Sequence, residues 1–270
     1  MELMRRLLIR PGAIGDCILA LPALEHVRAE YTEVWAPSAV VPLLNAFDQA
    51  RSLATTGLDL LGLEGVHAPP GLVSALESFD SIYSWYGANR PEFRRATAHL
   101  PISFFSALPP LSNSRHVADF FAWQVGCPTP VNPFVGVAAG DARNSIVIHP
   151  FSGGRLKNWP LNSFRELASR LALPVEWCAG PEEELAEAVR FENLLDLAGW
   201  IAGARLYIGN DSGITHLAAA AGAKVMALFC KTDAAIWAPR GNNVRVMGER
   251  FSMEPFSVEE VLRYAERLLE

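Results

Sequence analysis

The sequence predicts an α/β protein with parallel sheets, and two observations carry the prediction. Short apolar runs alternate with helix-like stretches along most of the 270 residues, which is the pattern of βαβ units. A segment rich in proline, glycine and small residues, CPTPVNPFVGVAAGDARNS (127–145), then interrupts the alternation near its middle. It leaves about 130 residues on each side, enough for a domain each.

Taken in order, strands are expected at LLIR (7–10), EVWA (33–36), SIYSWY (81–86), SIVIH (145–149), PVEWCA (174–179), RLYIG (205–209), KVMALF (224–229) and VRVMG (244–248). Each is a short run of β-branched, aromatic and other apolar residues bounded by polar or turn residues. Helices are expected at ALEHVRAE (23–30), HVADFFAWQV (116–125), SFRELASRL (163–171), EEELAEAVR (182–190) and GITHLAAAA (213–221). A last helix, SVEEVLRYAERLLE, carries Val258, Val261, Leu262, Ala265, Leu268 and Leu269 on one stripe, which must bury against something.

Composition narrows the class. Half of the residues are hydrophobic and 19% charged, which suits a globular core. A net charge of −6 with a pI near 5.6 argues against nucleic acid as a partner. No apolar run approaches the roughly 20 residues of a membrane span. Pro11, Gly12, Gly15 and Asp16 interrupt any signal-peptide core, so none is expected. Cys17, Cys127, Cys178 and Cys230 are scattered, which suggests reduced thiols in a cytosolic protein rather than a disulfide framework or a zinc site.

Three stretches carry chemistry. In RPGAIGDCILALPAL (10–24), a tight turn after a strand delivers Asp16 at the start of an apolar run. Open α/β sheets bind ligands at that end of a strand, although an aspartate there is commonly a helix cap. In RLYIGNDSGITHLAAAAGAKVMALF (205–229), a strand runs through Asn210, Asp211, Ser212 and Gly213 into a small-residue helix. The free N–H groups and dipole of such a helix start suit phosphate, and His216 lies one turn on from Ser212. In HPFSGGRLKNWP (149–160), Arg155 and Lys157 follow two glycines without Walker A spacing; the loop is either a phosphate site or a solvated basic turn. No Asp-X-Asp, His-Glu-X-X-His, Gly-X-Ser-X-Gly or Gly-X-Gly-X-X-Gly occurs, which removes the usual metal–diphosphate, zinc protease, hydrolase and dinucleotide signatures.

These stretches, together with CAGPEEE (178–184) and TDAAIWAPRG (232–241), fall in the order seen in glycosyltransferase family 9, the ADP-heptose:lipopolysaccharide heptosyltransferases and their relatives. The chain resembles that family over most of its length, least from about 45 to 110. The resemblance implies a GT-B fold, two Rossmann-like domains facing across a cleft: residues 1–135 on the acceptor side, 136–255 holding the donor, and the helix of 256–270 crossing back to the first domain. Asp16 matches the catalytic aspartate and Lys157 the donor-phosphate lysine. Asp211, Ser212, Gly213 and His216 match the donor-binding helix start. One of Glu182 and Glu183, preferably Glu183, matches a ribose-holding glutamate.

The implied activity is metal-independent, inverting transfer of a sugar, heptose from ADP-heptose, to a lipopolysaccharide-core or other glycan acceptor. A nucleotide-sugar-binding protein that has lost transfer and a GT-B-type nucleotide-sugar epimerase are the alternatives. No cofactor or metal is expected. A bacterial monomer is, either free in the cytoplasm or peripheral on the cytoplasmic membrane face. Arg90, Arg94, Arg95 and His99 form the densest positive cluster, and Arg90, Arg94 and Arg95 are candidates for an anionic acceptor. The chain departs from the family in a short stretch between CAGPEEE and NDSG, and in Cys230-Lys231-Thr232 where members usually have Gly-Pro-Thr.

Overall fold

Strand β1 (Arg5–Ile9) shows how the apolar runs are used: Leu7, Leu8 and Ile9 are all fully buried, with Leu8 facing one core cluster and Leu7 and Ile9 another. A strand buried on both faces belongs inside a parallel sheet covered by helices. The computed structural model describes residues 3–138, 140–248 and 256–270. After β1 come α1 (Ile14–His26), β2 (Tyr31–Ala36), β3 (Gln49–Ser52), α2 (Leu72–Glu77), β4 (Ser81–Ser84), α3 (Pro91–Ala96), β5 (Ile102–Phe104) and α4 (Val117–Gln124). The strands form a five-stranded parallel sheet in the order β3-β2-β1-β4-β5.

The second half repeats the plan with β6 (Ile146–His149), α5 (Leu161–Arg170), β7 (Val175–Trp177), α6 (Leu194–Ala202), β8 (Leu206–Asn210), α7 (Gly213–Ala220), β9 (Val225–Leu228), α8 (Ala234–Trp237), β10 (Val244–Met247) and α9 (Val258–Leu269). Its sheet is also parallel, in the order β10-β9-β8-β6-β7. Beyond β7, Val189 makes one isolated parallel bridge to Cys178, the remnant of a sixth strand. The strand order reverses between β1 and β4 and between β6 and β8. Those are the switch points where α/β sheets take ligands.

All eight expected strands are present with ends shifted by a few residues. The expectations missed β3 and β5, short edge strands of sequence QARS and ISF with little apolar signal. EEELAEAVR was expected to be helical and is not: among its residues only the Val189 bridge is regular structure. The Glu183 carboxylate turns back to accept the Gly180 N–H, and Arg190 donates to the carbonyls of Glu183 and Leu185. Those carbonyls are therefore used before a helix can take them.

The last helix also corrects an expectation. Instead of crossing to the first domain, α9 packs on the second, with Val261, Leu262 and Ala265 in one core with Phe164 and Leu167 of α5 and Ile146 and Ile148 of β6. Trp159 Nε1 donates to the Phe256 carbonyl at 2.8 Å and anchors the start of α9 there. The expected end of the second domain, at 255, lies outside the described residues.

The two halves meet along α1 and α7. Leu217 and Ala220 of α7 and Ala198 of α6 share one apolar core with Cys17, Leu21 and Leu24 of α1 and Phe121 of α4. The helix starts approach so closely that a Cβ on Gly213 would lie 2.9 Å from Ile14 Cβ and 3.1 Å from the Gly15 nitrogen. Arg240 reinforces the seam by donating to both carboxylate oxygens of Asp119 at 2.6 Å, and His116 Nε2 donates to the Ala238 carbonyl at 2.8 Å. Asp119→Ala strands the Arg240 charge in a setting about one-fifth exposed. The expected loss is about 2 kcal/mol, below that of a fully buried pair. Urea unfolding checks this, and Asp119→Ala/Arg240→Ala should recover part of the loss; a single variant within 0.5 kcal/mol of wild type, roughly the scatter of surface changes, would mean that the pair is ornamental.

Candidate active site

The turn after β1 is built around Gly12, whose φ of +123° is a conformation that side chains other than hydrogen rarely adopt. It delivers Ala13 as the N-cap of α1 and Asp16 as the third residue of the helix. Asp16 is thus not the N-cap residue, yet it caps: Oδ2 accepts the Ala13 N–H at 3.2 Å. Its Oδ1 makes no hydrogen bond to the described residues, and the side chain is half-buried.

Across the seam, β8 ends in Asn210, which is fully buried. Its Oδ1 accepts the Trp159 N–H at 2.9 Å and its Nδ2 donates to the Pro150 carbonyl at 2.7 Å, so both ends of the 150–159 loop are tied to the end of β8. Ser212 caps α7 by accepting the Thr215 N–H at 3.3 Å. The N–H groups of Gly213 and Ile214, at the start of the helix, are left for a ligand. Lys157 Nζ donates to Asp211 Oδ2 at 2.8 Å, and Thr232 Oγ1 donates to the same oxygen at 2.6 Å. Asp211 is buried while Lys157 is 40% exposed. The basic loop is therefore not a free solvated turn, because a buried carboxylate holds its lysine beside α7.

His216 lies on the same helix face as Ser212 and closes the seam: a Cβ on Gly15 would fall 3.0 Å from its Cδ2. Burial, with help from His116 and Lys157 and against Asp211, pushes its pKa down to about 4. The ring is neutral at pH 7, and its Nδ1 is buried without a partner. His116, the N-cap of α4, accepts the Ala118 N–H at Nδ1, so the proton it donates to Ala238 sits on Nε2. Burial lowers its pKa to about 4 as well, with Arg240 adding and the Ala238 contact opposing.

These two histidines set a pH dependence. The unfolded chain takes up protons near pH 6.5, whereas the folded rings resist until about pH 4. Stability is therefore full above the unfolded value and drains as pH falls toward 4. By pH 5 each histidine removes about 2 kcal/mol. His116→Asn keeps a capping side chain without a titrating one. Its urea midpoint should fall less between pH 7.5 and 5 than that of wild type; an equal fall would remove His116 from the account.

Glu183 Oε2 accepts His149 Nε2 at 3.0 Å and the Gly180 N–H at 2.6 Å. Burial alone would raise its pKa, but the His149 contact, the Gly180 N–H and Arg190 outweigh burial and hold it below the usual carboxylate range. Glu183 lines a cavity of about 470 Å³ that lies between the two halves. Its other walls include Ala13, Ile14 and Gly15 of the first half, Ser152 and Gly153 of the basic loop, Ser212 and Gly213 of α7, and an apolar patch of Pro181, Phe191 and Leu197. Glu182 is exposed and does not line it.

The structure thus brings the start of α1 to Ser212, Gly213 and His216, with Lys157 and Asp211 at one edge and Glu183 at the other. It does not bring the arginine cluster there as one surface. Arg90, the N-cap of the short α3, is committed to Glu92 at 2.8 Å, to the Tyr86 hydroxyl and to the Asp59 carbonyl. Arg94 stacks on Phe104, Arg95 is exposed, and His99 lies beyond the helix within 3.7 Å of Glu77. Sequence reasoning missed His149, whose one signal was a polar residue closing an apolar strand, and it singled out no role for Thr232, although that residue opens the TDAAIWAPRG stretch. Among the described residues, no group of three or more acidic, histidine or cysteine side chains could hold a metal ion.

Residues 136–263 match the sequence profile of glycosyltransferase family 9 (heptosyltransferase). The second half is a family 9 domain. The family makes the chain a glycosyltransferase. No protein with a curated description matches the sequence. Solved structures that share the fold include the ADP-heptose LPS heptosyltransferase II of E. coli, 18% identical over 98% of both chains with a TM-score of 0.76. E. coli heptosyltransferase WaaC, solved with ADP, is 15% identical over 98% of this chain and 100% of that one, with a TM-score of 0.68. The dodecameric, iron-containing glycosyltransferase TibC of enterotoxigenic E. coli is 13% identical over 92% of this chain and 65% of that one, with a TM-score of 0.60. The two parallel sheets facing across the α1–α7 seam are the GT-B fold of these enzymes.

Proposed function

We propose that this glycosyltransferase moves heptose from ADP-heptose to a hydroxyl of a lipopolysaccharide-core acceptor, with inversion and without a metal ion. The observation that carries the proposal is the meeting of two helix starts: Gly15, next to Asp16, touches His216 and Gly213. A sugar held with its diphosphate on the α7 start then presents its anomeric carbon near the Asp16 carboxylate. Asp16 takes the acceptor proton as the oxygen attacks, which requires an ionised carboxylate with a free lone pair, and Oδ1 supplies it. Charge building on the departing diphosphate is met by the Gly213 and Ile214 N–H groups and by Lys157. Glu183 and the apolar patch of the cavity suit the ribose and the base. Cytoplasmic, monomeric operation, with peripheral contact at the membrane face, is part of the same reading; no helix among the described residues is long and apolar enough to cross a membrane. Arg90, Arg94 and Arg95 are the acceptor candidates in the first domain, with Arg90 the most tied up by its own partners Glu92, Tyr86 and Asp59.

The test incubates the purified chain with ADP-heptose and deacylated lipopolysaccharide core, and follows ADP release and the glycosylated product by mass spectrometry. Product formation that survives EDTA is expected. Activity lost to EDTA and restored by iron or magnesium would overturn the metal-free part, donor binding without product would favour a binding protein, and an isomerised donor would favour an epimerase.

A further inference from the structure

Arg10 is 1% exposed, one of the largest fully buried side chains in the molecule, and among the described residues it makes no ion pair. A buried guanidinium without a carboxylate partner is expensive. Its contacts show what it holds. One terminal nitrogen donates to the Asp16 carbonyl at 2.9 Å and the other to the Ala107 carbonyl at 3.2 Å, while the plane lies over the Phe121 ring at 4.3 Å. Nε is buried with no partner. The side chain, one residue past β1, thus joins the first turn of α1 to the segment after β5.

We infer that Arg10 is a positioning residue for the transfer step: it locks the Asp16 peptide against the loop after β5 and places a fixed positive charge beneath the reacting carboxylate. The inference rests on the reading of Asp16 as the base. The Asp16 carbonyl belongs to the helix frame, so a fork anchored on it and on Ala107 fixes the depth of α1 relative to the acceptor side of the site. The Phe121 ring limits sideways movement of the guanidinium. Lysine has a single donor head and cannot reach both carbonyls in the planar geometry of arginine. Burial, opposed by the nearby Cys17 and Asp16, lowers the pKa of Arg10 from its ordinary value, and arginine stays charged where a lysine would tend to neutralise. A displacement of about 1 Å at a reacting group costs on the order of 10²-fold in rate, which makes such a clamp worth its burial.

The experiment compares wild type, Arg10→Lys, Arg10→Met, Asp16→Asn and Asp16→Asn/Arg10→Met, with ADP affinity read by calorimetry and turnover of ADP-heptose read by ADP release. Arg10→Met should lower kcat by about 10- to 100-fold while the ADP Kd and the donor KM stay within about twofold. Arg10→Lys should recover part of the loss. In the Asp16→Asn background the same change should cost less than about threefold, because the group it positions is gone. Hydrogen exchange should quicken at residues 14–17 and 105–107 together. Wild-type kcat in Arg10→Met, losses that multiply in the double variant, or ADP affinity falling in step with turnover would overturn the assignment. If Arg10→Met does not fold, Arg10→Lys decides: unchanged kcat and exchange overturn it. An inactive wild type, or an active Asp16→Asn, overturns the base reading first and Arg10 with it, whereas an active wild type, a dead Asp16→Asn and a normal Arg10→Met defeat Arg10 alone.

Discussion

Asp16→Asn is expected to fold and bind ADP like wild type and to turn over at least about 10²-fold more slowly. The two halves of that expectation come from two oxygens of one side chain. Oδ2 accepts the Ala13 N–H in the first turn of α1, and an asparagine oxygen can accept it equally well, so the cap and the helix survive. Oδ1, free of hydrogen bonds to the described residues, is the atom the mechanism needs as a proton acceptor, and an amide in its place has no useful basicity near neutral pH. ADP does not touch the carboxylate in this reading, so its affinity should hold. Measured turnover within a few-fold of wild type, with ADP binding intact, would leave Asp16 as a cap and nothing more.

The sequence carried the parallel sheets because their central strands are apolar on both faces: IVIH, LYIG and VMAL have few other uses in a chain of this size. It did not carry β3 and β5, whose place at a sheet edge is set by neighbours rather than by their own residues. The loss of helix at EEELAEAVR was hidden for a related reason: four glutamates and two alanines favour a helix locally, while the Gly180 N–H and His149, from another strand, hold the Glu183 side chain and Arg190 takes the Glu183 and Leu185 carbonyls. Of the candidate site, Asp16, Ser212 and Gly213 were legible because helix starts have a local signature. The Lys157–Asp211 pair joins residues 54 positions apart, and no local pattern encodes that distance. The position of α9 was misjudged because an apolar stripe says that a face must be covered without saying by what.

Lys157→Ala should weaken ADP binding by about 10²-fold, the loss of a charge-assisted contact of 2–3 kcal/mol. The lysine is 40% exposed and its pairing with Asp211 is partly screened, so the lysine–carboxylate bond itself contributes little to stability. Its effect on the donor is larger because it acts twice. It brings a cation to the diphosphate, and it neutralises Asp211, which is buried at the start of α7 and would otherwise repel the same phosphates. Removing the lysine leaves that carboxylate with Thr232 as its remaining side-chain donor among the described residues. The double variant Lys157→Ala/Asp211→Asn separates the two effects. The amide keeps an oxygen for Thr232 and carries no charge, so part of the lost ADP affinity should return even though the cation is still missing. Calorimetric titration of ADP into the three proteins reads the result directly. If Lys157→Ala binds ADP as wild type does, the diphosphate lies elsewhere. If Asp211→Asn restores nothing in the double variant, the lysine acts only as a direct phosphate contact, and the buried carboxylate serves to hold its position.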